Sequence, residues 1–243
     1  MKLNINFSRL AIEFVVVFFG VAVALAADSW REGLLDQSKE LDYLRRLHSE
    51  IESGQPRIEE IHQKVISAID SISELIILSE QPTNLEETQI IHLMLSSTAY
   101  EYAAAGISFD STYQELLSSG SLNLIENSKL LDELGRYSFL TSLNSDVVGE
   151  ATISGFREWA NSFREAAGIS SSNLTRNGRD LELGASRLGT ESIDRILLLY
   201  ERIPSGSDKL RLTMSRLIDL EVWLSRLSQA ACNLLVTLEI ELD

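Results

Sequence analysis

Residues 10–27, LAIEFVVVFFGVAVALAA, are apolar for 18 positions with a single interruption at Glu13. As one α-helix the run spans about 27 Å, close to the ~30 Å hydrocarbon core of a bilayer. Lys2 and Arg9 precede it, and Trp30 and Arg31 follow it, where an amphipathic ring and a cation suit the headgroup region. These features predict a single transmembrane anchor over 10–27, with a short tail over 1–9 and a larger domain over 28–243. A secretory signal is the competing reading, with a basic start, an apolar middle and Ala24-Leu25-Ala26 as a small-x-small cleavage site. Glu13 counts against it, because signal cores rarely carry an acid. In an anchor, Glu13 lies four residues after Arg9, so the two share a helix face near the membrane edge. The alternative role for that carboxyl is contact with a partner transmembrane helix. Gly20 and Ala24 form a small-xxx-small pair that permits close helix packing. Arg9, Glu13, Gly20, Ala24 and Trp30 are therefore the candidates for membrane or partner-helix contact. Basic residues on the two sides of the run nearly tie, so orientation rests on the likeness to a secretory signal. That likeness puts the tail in the cytoplasm and the domain outside it, which in a bacterium is an inner-membrane protein with a periplasmic domain.

Beyond the run the periodicity is helical. Leu44, Ile51, Ile58, Val65 and Ile72 recur every seven residues, and Leu34, Leu41, Ile69 and Ile76 fall on an adjoining heptad position. This is a coiled-coil-like seam. His48, Gln55 and His62 interrupt the adjoining position, and Leu44, His48, Ile51, Ile58, His62 and Val65 are the candidate oligomer seam. Pro56 removes a backbone donor, which predicts a bent helix or two stacked ones. Thr83 or Asn84 is expected to cap a second helix over about 85–105. A short helix follows over about 110–118, stopped by Gly120 in a left-handed conformation. Asn127 or Ser128 then caps a helix carrying Leu130, Leu134, Tyr137 and Leu140, which is expected to run on through Trp159 and Phe163. Residues 168–190, rich in Ser, Asn and Gly, read as an exposed loop. A short apolar helix over 193–203 is expected to end at Pro204, and a last helix to start at Ser205 or Ser207. Met214, Leu217, Leu220, Leu224, Leu227, Ala231, Leu234 and Leu238 make one buried face of that last helix. No segment reads as a strand. The fold class is all-α: a single N-terminal transmembrane helix continuing into an elongated helical bundle.

The chemistry is sparse. Lys and Arg total 21 against 36 Asp and Glu, a net charge of −15, which disfavours nucleic acid because phosphate binding needs clustered cations. The lone cysteine, Cys232, allows no intramolecular disulfide and reads as a small buried residue, with an intermolecular disulfide as the sharper alternative. His48 and His62 lie about 21 Å apart by helix rise and cannot share a metal within one chain. They read as register-setting polar residues, or as a pH-sensitive contact. There is no G-x-S-x-G, P-loop, H-E-x-x-H or Gly-rich dinucleotide turn. Neither an enzyme nor a cofactor is expected.

Two stretches carry a resemblance. The segment from Ile12-Glu13-Phe14 through Asp28-Ser29-Trp30-Arg31-Glu32 resembles the start of a bacterial family of uncharacterised membrane-anchored helical proteins. In that family an acid opens the apolar span and a polar-Trp-polar-Glu step closes it. The stretch Ser111-Thr112-Tyr113-Gln114-Glu115-Leu116-Leu117-Ser118-Ser119-Gly120-Ser121-Leu122-Asn123-Leu124-Ile125-Glu126-Asn127 is similar to the family's central motif, which is followed by a Leu-rich helix with a tyrosine. The resemblance covers about residues 10–140 and implies an anchor and helices, with no assigned activity. Read from its residues, the central motif is a helix, a glycine stop and a new helix. It is a structural corner, or a ligand or partner site with Thr112, Tyr113, Ser119 and Asn123 as its polar groups. The function expected is a membrane-tethered interaction or scaffold module that self-associates through the seam. The runner-up is a helical-bundle ligand sensor acting through a partner protein, and after it comes a secreted helical domain. The expected partners are the membrane and a protein, self or transmembrane.

Overall fold

The computed structural model describes residues 7–81, 84–98, 110–147, 159, 161–165 and 189–242. All regular structure among them is helical. The elements are α1 (Phe7–Glu80), α2 (Glu87–Ser96), α3 (Ser111–Ser119), a 3-10 turn (Ser121–Leu124), α4 (Ser128–Val147), α5 (Thr190–Glu201) and α6 (Ile203–Leu242). The loop expected over 168–190 lies outside the described residues except for its last two positions. The stretches expected to extend α2 to residue 105, and α4 beyond Val147 toward Trp159, also lie largely outside them.

At 74 residues, α1 is about 110 Å long and forms the spine of the molecule. It passes through Pro56 without ending. Two stacked helices, one of the two outcomes that proline allowed, are therefore not formed. Pro56 is exposed, so the carbonyl left without its usual donor lies on the solvent side of the helix.

The long α6 lies antiparallel against α1. As the α1 number falls through Glu80, His62, Gln55 and His48, the facing α6 residue rises through Arg211, Glu221, Cys232 and Glu239. The two helices share the largest apolar interface of the fold. On α6, Leu217, Leu220, Leu224, Leu227, Ala231, Leu234 and Leu238 are all 2% exposed or less, as their spacing predicted.

The α1 side of this interface corrects the sequence reading. Leu44, Ile51, Ile58, Val65 and Ile72 are buried as expected, but their companions are Leu47, Ile61, Ala68 and Leu75, all 2% exposed or less. The adjoining position that carries His48, Gln55 and His62 lies at the edge of the interface. On that same line Leu34 and Leu41 are exposed, while Ile76 is buried and Ile69 packs partly buried against the core, as expected. Leu44 and Leu47 are three apart and Leu47 and Ile51 four apart, so the true stripe is a 3–4 repeat displaced by one residue from the predicted one.

The remaining helices close the bundle around this pair. Trp223 of α6 donates its indole N–H to the Leu140 carbonyl of α4 at 2.9 Å, and Asn127 donates to Glu241 at 2.6 Å. These contacts make α4 antiparallel to α6 and hence parallel to α1. Trp159 donates to Ser97 Oγ at 3.0 Å, pinning its segment against the end of α2. The second helix begins later than expected, with Glu86 at its N-cap and the Gln89 side chain accepting the Glu86 N–H at 3.0 Å. The helix α5 ends at Glu201, short of Pro204, and α6 begins at Ile203 rather than at Ser205 or Ser207, because a proline in the first helical turn lacks only an N–H that has no intrahelical partner there.

Gly120 stops α3 as predicted, with φ +71° and its N–H directed at the carbonyls of Leu116 and Leu117. A Cβ at Gly120 would meet nothing within 4 Å, so Gly120→Ala tests backbone strain alone. It should cost about 1–2 kcal/mol, read as a fall of a few degrees in Tm by circular dichroism. An unchanged Tm would mean that the corner relaxes out of the left-handed region.

Candidate functional site

The N-terminal third of α1 stands apart from the bundle. Phe14, Val16, Val17, Phe18, Phe19, Val21, Val23 and Leu25 are between 54% and 71% exposed. Consecutive residues point around the whole helix, so no face of this segment is covered. A Cβ on Gly20 would meet nothing within 4 Å, and Ala24 is exposed. The side chains of Arg9 and Glu13 lie outside the described residues. Trp30 is 71% exposed, and Leu34 and Leu35 continue the uncovered apolar surface into the segment between the run and the bundle. Among the described residues no helix is long and apolar enough to cross a membrane.

The candidate oligomer seam is filled by the chain itself. Leu44, Ile51, Ile58 and Val65 are at most 2% exposed within one chain. His48 lies 3.8 Å from Glu239 and 3.6 Å from Glu52. His62 Nε2 lies 3.0 Å from Glu221 Oε1. Both histidines, read from the sequence as register-setting residues or a pH-sensitive contact, face a glutamate of α6 within the same chain. The reason is length: the 40 residues of α6 cover α1 from Glu80 to about His48 and leave no room for a second copy there. Cys232, expected to be buried, is exposed and accepts a hydrogen bond from Gln55 Nε2 at 3.0 Å.

The four candidate polar residues of the corner do not converge. Thr112 is buried at the start of α3, and the Tyr113 hydroxyl lies over Gly135 of α4. Ser119 and Asn123 are exposed beyond the other end of α3, about 10 Å or more away by helix rise. Ser119 Oγ lies within hydrogen-bond distance of the Leu116 carbonyl and of Ser121 Oγ, so it closes the helix end.

A tighter polar cluster forms at the first turn of α3, from residues that sequence reasoning mostly missed. Glu50 of α1 caps that turn from outside. Its Oε1 accepts the Ser111 N–H at 2.7 Å and the Ser111 hydroxyl at 2.6 Å, and its Oε2 accepts the Thr112 N–H at 2.9 Å. Asp110, the residue at the N-cap position, turns the other way. Its Oδ2 accepts from Gln114 at 3.0 Å, from Ser138 at 3.0 Å and from Thr141 at 3.3 Å, which ties α3 to α4. Arg46 forks onto Glu115 of α3, with Tyr43 donating to the same carboxylate at 3.5 Å. Tyr137 of α4, 2% exposed, completes the cluster. Its phenol is pushed far up, chiefly by burial and then by the charges of Asp110 and Glu50, so it is a neutral hydroxyl. Heptad reading could not find this cluster. Glu50 looks like any solvated acid on a helix, and its role depends on a partner 61 residues away.

Burial pushes the Glu50 carboxyl up, but the hydrogen bonds from Ser111 and Thr112 outweigh that and hold it below the ordinary glutamate value. A depressed carboxyl stabilises the fold above its unfolded value, about 4.3, and that stabilisation is lost as pH falls through the folded value. Glu50→Ala should cost about 1–2 kcal/mol at pH 7. The gap between wild type and variant should shrink below about pH 4. A gap constant in urea melts from pH 7 to pH 3 would refute the capping role.

The arrangement is built to hold three helices together. Among the described residues no group of three or more His, Cys, Asp and Glu is placed to hold a metal ion. No family model, no curated protein and no solved structure matches the chain.

Proposed function

We propose that this chain is a membrane-tethered helical interaction or scaffold module, with 10–27 as a single span and the bundle on the periplasmic side of a bacterial inner membrane. The observation that carries the reading is the uncovered apolar segment of α1, which exposes large apolar side chains around the whole helix and runs without a turn into the spine of the bundle. A helix that is apolar all round is buried either in a protein core or in lipid, and the bundle leaves this one uncovered. The fully described part of the run, 16–27, is about 18 Å long, short of the ~30 Å hydrocarbon core. The complete sequence run reaches about 27 Å, so the reading draws on residues 10–13 as well.

The scaffold reading takes a changed form from the structure. Self-association cannot use the Leu44 to Val65 stripe, which α6 covers. Among the surfaces open to a protein partner are the span and the segment over 28–39. A rigid helix through both puts the first bundle contact, Glu40 accepting the Glu126 N–H, about 20 Å from the end of the span, at 1.5 Å for each residue from Ala27 to Glu40. The sensor reading draws no support from the dispersed corner residues.

Cells expressing the full chain should be fractionated, their membranes extracted with carbonate, and spheroplasts treated with protease. Carbonate-resistant protein whose bundle is digested from outside is the expected result. A soluble chain beginning at Ala27 would replace the anchor with a cleaved signal. A membrane protein resistant to outside protease would reverse the orientation.

A further inference from the structure

Ahead of the bundle, α1 carries a line of side chains in the coiled-coil period. Val23, Ala27, Trp30, Leu34, Gln37 and Leu41 follow one another in alternating steps of four and three, and all are exposed. Gly20 and Val16 continue the same steps toward the N-terminus. Of the exposed large apolar side chains between Asp28 and Leu41, only Leu35 falls beside the line. From Val16 to Leu41 the line is about 37 Å long, close to the three to four heptads that a coiled coil needs.

One further step of three reaches Leu44, which is buried, and the heptads beyond it, Ile51 and Ile58, lie in the interface with α6. Glu239, in the last turn of α6, faces His48, so α6 stops short of Leu41. The open line is thus the continuation of an interface that the chain fills for itself only from Leu44 onward.

Two features select a second copy of α1 as the occupant. In a parallel, in-register pair, Glu40 precedes Leu41 at the flanking position that faces Arg45 of the other copy, one heptad on. The pair therefore gains two opposite-charge contacts. Gln37 would be stranded against a foreign apolar face, but in register it meets its own copy, where each amide donates to the other's carbonyl. We propose that two copies of this chain pair in parallel along the Val16 to Leu41 line, through the span and the segment after it. The proposal rests on the reading of 10–27 as a span. Insertion gives all copies one direction and one depth and raises their effective concentration, so a short seam suffices. Gly20 and Ala27 let the two backbones approach closely within the lipid.

The test is disulfide cross-linking in membranes of cells expressing the full-length chain with Cys232→Ser. Trp30→Cys, Leu34→Cys and Leu41→Cys, introduced singly, should each give a dimer on mild oxidation. Glu32→Cys and Lys39→Cys, on the opposite face, should not. Glu40→Arg should lower the Leu34→Cys cross-link about threefold, and adding Arg45→Glu should restore it. A role for Glu40 confined to the Glu126 N–H would not be rescued by the second reversal, and that result overturns the register. Equal yields on both faces, no dimer, or a cross-link to a different protein overturns the pairing. If the chain meanwhile stays in the carbonate-resistant fraction, the span reading survives that failure. A chain that carbonate releases sinks the span, and the pairing with it.

Discussion

Ile61→Ala should destabilise the bundle by about 2–5 kcal/mol, while His62→Ala, at the next position, should cost about 1 kcal/mol or less. Ile61 is completely buried, packed in the α1–α6 interface, and truncating it leaves a cavity that rigid neighbours cannot fill. His62 sits at the edge of that interface, opposite Glu221, with its side chain 16% exposed. The predicted heptad puts His62 on the seam and leaves Ile61 off it, so the two registers make opposite forecasts for this pair. Urea denaturation at neutral pH, followed by circular dichroism, measures both. Equal losses, or a larger loss at His62, would mean that α6 docks one position round the helix from where it lies here.

The second large effect is expected in the apolar segment. Val17→Arg combined with Val21→Arg places two cations where the proposed span crosses the bilayer centre. At about 2.5–3.5 kcal/mol per arginine, the pair removes most of the drive for insertion. The doubly substituted chain should leave the carbonate-resistant fraction. The bundle should keep its Tm, because both valines are more than half exposed and touch nothing in it. Loss of bundle stability in the double variant would show that this segment folds back onto the domain, and would remove the main support for the anchor.

The sequence determined a good deal of this protein by itself. The helical class, the glycine stop at residue 120, the Asn127 cap on α4 (Oδ1 accepts the Lys129 and Leu130 N–H groups at 2.8 and 3.2 Å) and the apolar face of α6 all follow from local rules. Each rule needs only the spacing of side chains within a few turns. The apolar run is legible for the same reason, since its length and composition are local quantities.

Tertiary structure decided what covers each face. A heptad seam is a surface looking for a partner, and spacing cannot say whether that partner is a second copy or a helix 160 residues further on. Here α6 arrives first, because a partner in the same chain is present at a far higher effective concentration than another molecule. Its docking uses the line of Leu47, Ile61, Ala68 and Leu75 and leaves that of His48 and His62 at the edge; the two lines have the same period, but the first carries no polar side chain, so composition as well as packing separates them. The cluster of Glu50, Asp110 and Tyr137 was equally hidden. Each of its members is ordinary in its own helix, and the cluster exists only because long-range packing brings one carboxylate of α1 to the unsatisfied N–H groups of α3, which no local pattern encodes.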